Sequence, residues 1–63
     1  MDLSILKAIR RGKDIRQTDL AKDIGITQTY LSLIETNKRN PSLRLFEDIC
    51  TQLDCELKII PKT

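Results

Sequence analysis

IRQTDLAKDIGITQTYLSLIETNKRNPS, residues 15–42, is the stretch on which the fold turns. Within it, QTDLAKDI at 17–24 places Leu20, Ala21 and Ile24 at helical spacing, and Gly25 stops the run. Thr27 then offers an N-cap hydroxyl to a second predicted helix, 28–36, whose Leu31 and Ile34 stand three apart and turn inward together. Between the two, Gly25 can take a positive φ at little steric cost, and Ile26 points apolar mass into the angle. The single methyl of Ala21 lets the helices approach closely. The predicted order is helix, tight turn, helix.

Outward from this hairpin, residues 3–11 place Leu3, Leu6 and Ile9 on one helical face, with Lys7, Arg10 and Arg11 on others and Gly12 as the expected C-cap. Pro41 and the N-cap Ser42 open a fourth helix, in which Leu43, Phe46, Ile49, Cys50 and Leu53 form the cleanest apolar stripe and the expected main wall of the core. After Leu53, DCELKIIPKT sets Cys55, Leu57 and Ile59 in alternation with Glu56, Lys58 and Ile60 before Pro61, a pattern that reads as a short strand. The expected class is all-α: a compact four-helix domain over 1–54, with a strand or tail over 55–63.

Composition narrows the function. Sixty-three residues with a net charge of +2, 40% hydrophobic and 32% charged, make one soluble globular domain. At this size roughly 60% of the unfolded surface is buried on folding, so the core must be small. No apolar run nears the ~18 residues of a membrane span, and the basic residues of MDLSILKAIRRG follow the apolar ones, the reverse of a signal peptide. The expected location is intracellular. Cys50 and Cys55 are too few for a disulfide scaffold, and without histidine they cannot complete a zinc site, so both are expected to be reduced, inert thiols. With no Ser-His or Cys-His set and no glycine-rich phosphate loop, neither an enzyme nor a cofactor or metal is expected.

Gln17, Leu20-Ala21, the Gly25-Ile26-Thr27 turn, Tyr30-Leu31-Ser32, Ile34-Glu35 and Lys38-Arg39-Asn40-Pro41-Ser42 together carry a specific likeness. The chain resembles, over residues 3–53, the lambda-repressor-like helix-turn-helix family of phage repressors, Cro proteins and related bacterial regulators. The resemblance implies that helix 28–36 enters the major groove, with Gln28, Thr29, Ser32 and Leu33 as base contacts. Their chemistry suits that role: Gln28 can pair with adenine N6 and N7, and Thr29 offers a hydroxyl and a methyl. Leu33 has two readings at this level, a groove contact to a thymine methyl or packing at the edge of helix four or a dimer partner.

Arg16, Gln17, Thr27, Tyr30, Asn37, Lys38, Arg39, Asn40 and Arg44 are the implied phosphate contacts. Taken singly, each charge reads equally as a solvated surface residue; clustering favours DNA, because Lys38, Arg39 and Arg44 gather there while Asp2, Glu47, Asp48, Asp54 and Glu56 fall mostly elsewhere. The resemblance also implies an ion pair between Arg10 and Glu35.

Three positions depart from the family pattern. Arg16 stands where serine or threonine usually caps, leaving that helix start weakly capped or reliant on Thr18 or Asp14. Asn37 replaces a common glycine, a mild change because asparagine tolerates the left-handed conformation. The tail replaces a fifth helix and is similar to the pairing strand of HipB-like antitoxins, which implies a homodimer joined through Cys55, Leu57 and Ile59.

The expected function is therefore sequence-specific, double-stranded DNA binding by a homodimeric transcriptional repressor at a palindromic operator. Occupying a promoter requires only a DNA-binding domain, whereas sensing or activation needs further chain. The alternative is the DNA-binding antitoxin of a toxin–antitoxin pair, with a toxin as additional partner, which co-purification would decide. No membrane partner is expected. The expected setting is the cytoplasm, bacterial or phage-encoded, with nucleoid association when bound.

Overall fold

The computed structural model describes residues 2–55. Four helices follow one another: α1 (Ser4–Gly12), α2 (Gln17–Ile24), α3 (Gln28–Glu35) and α4 (Leu43–Gln52). Among the described residues there is no strand; of the expected strand at 55–63, all but Cys55 lies outside them, including Leu57 and Ile59.

The helix starts follow from short polar side chains. Thr27 accepts a hydrogen bond from the Tyr30 N–H at 3.0 Å, and Ser42 accepts one from the Leu45 N–H at 3.1 Å. Each oxygen satisfies one of the amides a first turn leaves without a helical partner. Arg16 stands at the N-cap of α2 with extended backbone and supplies no side-chain cap. At α1 the N-cap is Leu3, also without a side-chain cap, and Asp2 Oδ1 instead accepts the Ser4 N–H at 2.9 Å.

All four helices end in the same turn, and only one of them uses glycine for it. Asp14 (φ 58), Gly25 (φ 84), Asn37 (φ 63) and Asp54 (φ 51) take the left-handed conformation. In each case the following N–H reaches back to a carbonyl of the last turn: Ile15 to Arg10, Ile26 to Ala21, Lys38 to Leu33 and Cys55 to Cys50, at 2.9–3.1 Å. This is the Schellman arrangement, in which a positive-φ residue lets the chain satisfy carbonyls that the helix leaves open. Gly12 is therefore not the cap expected of it: it is the last residue of α1, and Asp14 makes the left-handed turn. Aspartate and asparagine tolerate that conformation better than other residues with side chains, which is why the turn need not fall on the nearest glycine.

The core gathers Leu3, Leu6, Leu20, Ala21, Leu31, Ile34, Phe46, Ile49, Cys50 and Leu53, with Ile9, Ile15, Ile24 and Ile26 packed against it. α3 packs on α1 and α2, and α4 packs on α2. Leu43 departs from the expected stripe. At the first position of α4 it keeps 64% of its surface exposed, so the buried face starts at Phe46, with Leu45 partly buried beside it.

Cys50 and Cys55 are free thiols. Burial, reinforced by the neighbouring Cys55 thiol, pushes the Cys50 thiol up to about 11, so at neutral pH it is an uncharged packing group. No helix among the described residues is long and apolar enough to cross a membrane.

Candidate nucleic-acid interface

The inward stripe of α3 is Leu31, Ile34 and Glu35, all buried. Gln28, Thr29, Ser32 and Leu33 lie at i, i+1, i+4 and i+5, the complementary face of the same short helix, with Gln28 and Thr29 exposed and Ser32 and Leu33 half-buried. This face borders two shallow open depressions. Gln17, Gln28, Thr29, Ser32 and Leu33 line one; Thr27, Thr29, Tyr30, Leu33 and Arg39 line the other. Leu33 and Thr29 form the ridge they share. Leu33 belongs neither to the core nor to the apolar residues packed against it.

Charged and polar side chains flank this face. After α3 the Lys38 and Arg39 N–H groups both turn back to the Leu33 carbonyl, at 2.9 and 3.2 Å, which sets two exposed cations beside the end of the helix. Asn40 is exposed, as is Arg44 in the first turn of α4. At the start of α2 the Arg16 Nε donates to Asp19 Oδ2 at 3.1 Å, both side chains being largely exposed. That pair contributes little to stability, and its carboxylate offsets the positive charge that Arg16 brings. A third depression, lined by Asp23, Ile24, Asp48, Thr51 and Gln52, shares no residue with the first two and is the acidic one. No group of three or more His, Cys, Asp or Glu side chains that could hold a metal ion gathers among the described residues.

Beneath the face lies a buried ion pair. Arg10 Nε donates to Glu35 Oε2 at 2.8 Å and Arg10 Nη2 to Glu35 Oε1 at 3.1 Å, while Arg10 Nη1 donates to the Ile15 carbonyl at 2.8 Å. Arg10 is 7% and Glu35 2% exposed. Two parallel N–H···O bonds and a third to backbone satisfy most of what burial takes from these charges, as a desolvated pair requires. Gln17 Nε2 donates to Glu35 Oε1 at 3.0 Å, and Gln28 Nε2 donates to Gln17 Oε1 at 3.2 Å. No buried side-chain polar atom among the described residues lacks a partner.

The family resemblance assigns these residues three separate roles: an ion pair, a phosphate contact and a base contact. The fold joins them into one hydrogen-bonded chain. Asn37 also acquires partners that its neighbours in sequence do not indicate: its Oδ1 accepts the Leu3 N–H at 2.7 Å, and its Nδ2 donates to Asp2 Oδ1 at 2.8 Å. Its side chain is thus engaged in tying the turn after α3 to the start of α1.

Comparison with known proteins finds a family and relatives for this chain. The helix-turn-helix family pattern matches residues 6–60. The ImmF control region 10 kDa protein of Bacillus phage phi105 is 32% identical over 60 residues, 95% of this chain and 67% of that protein. The immunity repressor protein of the same phage is 33% identical over 55 residues, 87% of this chain and 38% of its own length. An uncharacterised HTH-type transcriptional regulator of Sinorhizobium fredii, y4dL, is 33% identical over 57 residues, 90% of this chain and 29% of its own. The chain therefore spans about two thirds of the first relative and well under half of the other two.

Proposed function

The chain belongs to the helix-turn-helix family of DNA-binding transcriptional regulators, and from that premise we propose that it is a repressor that occupies its operator with α3 in the major groove. The observation that carries this is the exposed face of α3, which ranges Gln28, Thr29, Ser32 and Leu33 between the start of α2 and the cationic turn after α3. B-DNA's major groove admits a helix, and its base edges offer what these side chains bind: amide pairs for adenine and methyl contact for thymine. Lys38, Arg39, Asn40 and Arg44, with Thr27 and Tyr30 beside Arg39, on one side, and Gln17 and Arg16 at the start of α2 on the other, are the phosphate grips that fix the helix in register. Asn37 contributes to that grip through the shape of its turn. Two of the relatives are named as a control-region protein and an immunity repressor, which supports repression over activation.

The operator is read by two copies. One module this small buries a limited interface on DNA, whereas two α3 helices about one helical turn apart, roughly 34 Å, combine their affinities on a palindrome. Residues 1–54 form the DNA-binding unit, and residues 55–63, with Cys55, Leu57 and Ile59, supply the join between protomers. Selection from a random duplex pool tests the whole proposal. A two-fold symmetric consensus with half-sites one helical turn apart is expected, and recovery of no consensus would overturn it. Truncation after Asp54 tests the join: a truncated protein that stays dimeric and binds the same operator unchanged removes it.

A further inference from the structure

The chain of four side chains from Arg10 to Gln28 has a direction, and the direction has a consequence for which base is read. Glu35 is an ionised, buried carboxylate facing Arg10, so it can only accept hydrogen bonds. Gln17 can meet it only through its Nε2, at 3.0 Å. That leaves Gln17 Oε1 for Gln28, and Gln28 must in turn offer its own Nε2, at 3.2 Å. Each amide is thereby oriented by the partner behind it, starting from a group that has no alternative.

We infer that Glu35 is a positioning residue for base recognition: acting through Gln17, it fixes the amide of Gln28 so that one acceptor and one donor are left for the base, an order that suits adenine and rejects guanine. This rests on Gln28 being a base contact. With one N–H given to Gln17, Gln28 keeps its second N–H and its Oε1, and no other partner among the described residues takes them. Adenine presents N7 as acceptor and N6–H as donor in the major groove, which matches that pair. Guanine presents two acceptors, N7 and O6, and would set its O6 against the glutamine oxygen. Were the chain reversed, Gln28 would accept from Gln17 through Oε1 and keep two N–H groups, the set that suits guanine. The carboxylate of Glu35 forbids the reversal, since it has no proton to donate to Gln17.

The test compares affinities of the full chain, by fluorescence anisotropy, for duplexes carrying the selected operator with A or G at each position in turn. Gln28→Ala identifies the base pair concerned by lowering the A-over-G ratio there about fivefold or more. Gln17→Met keeps the length of the side chain and the Arg10–Glu35 pair but breaks the relay. It is expected to lower the ratio at that same base pair at least about threefold, whatever happens to overall affinity. Gln17→Ala, which needs no room, serves the same comparison. Arg10→Met/Glu35→Gln leaves no buried charge unpaired and lets residue 35 meet Gln17 through either end of its amide, so it too is expected to relax the ratio. In a Gln28→Ala background neither change has a further effect on it. A loss of packing alone lowers the melting temperature or all affinities together and leaves the ratio intact. A ratio unchanged by the Gln17 variants or by the double variant, with Gln28→Ala active, overturns the relay alone. A ratio unchanged at every position by Gln28→Ala overturns the base-reading role of Gln28 and the relay with it.

Discussion

Asn37 Oδ1 accepts the backbone N–H of Leu3 at 2.7 Å, across 34 positions of the chain. The same side chain donates to Asp2, and its backbone makes the left-handed turn that ends α3. One residue thus closes one helix and anchors the start of another. Asn37→Gly removes the strain of a positive φ but leaves the N–H of the buried Leu3 without its acceptor. Relief of about 1 kcal/mol competes with an orphaned buried donor at about 1–3 kcal/mol. Net destabilisation is expected, and urea unfolding of the variant measures it; a more stable glycine variant would show that the side-chain bonds contribute nothing.

The Ser4 N–H first, and then the Asn37 amide, hold the Asp2 carboxyl below its ordinary 3.8, down to about 2. Because the folded state binds the proton less readily than the unfolded one, this contribution is fully present above pH 4 and is lost as pH falls toward 2. Unfolding midpoints measured from pH 5 to pH 2 are expected to fall more steeply for the native chain than for Asp2→Asn. Parallel curves would mean that Asp2 titrates alike in both states.

Breaking the Arg10–Glu35 pair from one side leaves a desolvated charge, at a cost of about 3–5 kcal/mol, enough to unfold much of a domain this small. Arg10→Met or Glu35→Gln alone is therefore expected to destabilise more than the two together. Chemical denaturation of the four members of the cycle measures the coupling, and additive single effects would rule it out.

Leu31 and Leu33 are two residues apart in α3 and differ in everything that matters for stability. Leu31 is fully buried, and Leu31→Ala is expected to cost about 2–5 kcal/mol through lost burial and the cavity left behind. Leu33 stands outside the core, so Leu33→Ala is expected to leave the melting temperature nearly unchanged and to weaken discrimination at one A·T pair. Calorimetry beside operator binding separates the two; a core-sized stability loss in the Leu33 variant would return it to a packing role.

Each phosphate neutralised by a cation is expected to add about 0.9 to the logarithmic salt slope of operator binding. Lys38→Ala, Arg39→Ala and Arg44→Ala should each shallow that slope and weaken all sequences alike. Arg16→Ala should do so less, because Asp19 already holds the Arg16 guanidinium at 3.1 Å. Titrations at several salt concentrations check this, and an association insensitive to salt would exclude the cationic grip.

Much of the fold was legible because it is local. Thr27 and Ser42 cap the residues next to them, and Gly25 turns where the apolar spacing stops, so neighbours in sequence carry the information. The readings of Gly12 and Leu43 failed for a related reason. Each matched a local pattern, but Asp14 and Asp54 show that the left-handed turn does not need glycine, and the exposure of Leu43 depends on where α4 begins. The candidate interface was legible, through the family resemblance, as a face of α3 flanked by cations; the hydrogen bonds that join its residues were not.

Local order in the chain was thus enough for four helices, their starts and the outward face of α3, because hydrogen bonds and side-chain neighbours within a helix span only three or four positions. The folded chain alone decided that Asn37 holds Asp2 and Leu3, and that Gln28, Gln17, Glu35 and Arg10 form one directed relay, through contacts 11 to 35 positions apart. Such contacts follow from how α1, α2 and α3 pack on a shared apolar core. The pairing of buried Glu35 with Arg10 at that junction makes it an acceptor with no freedom, and the orientation of the amides above it follows from that pairing.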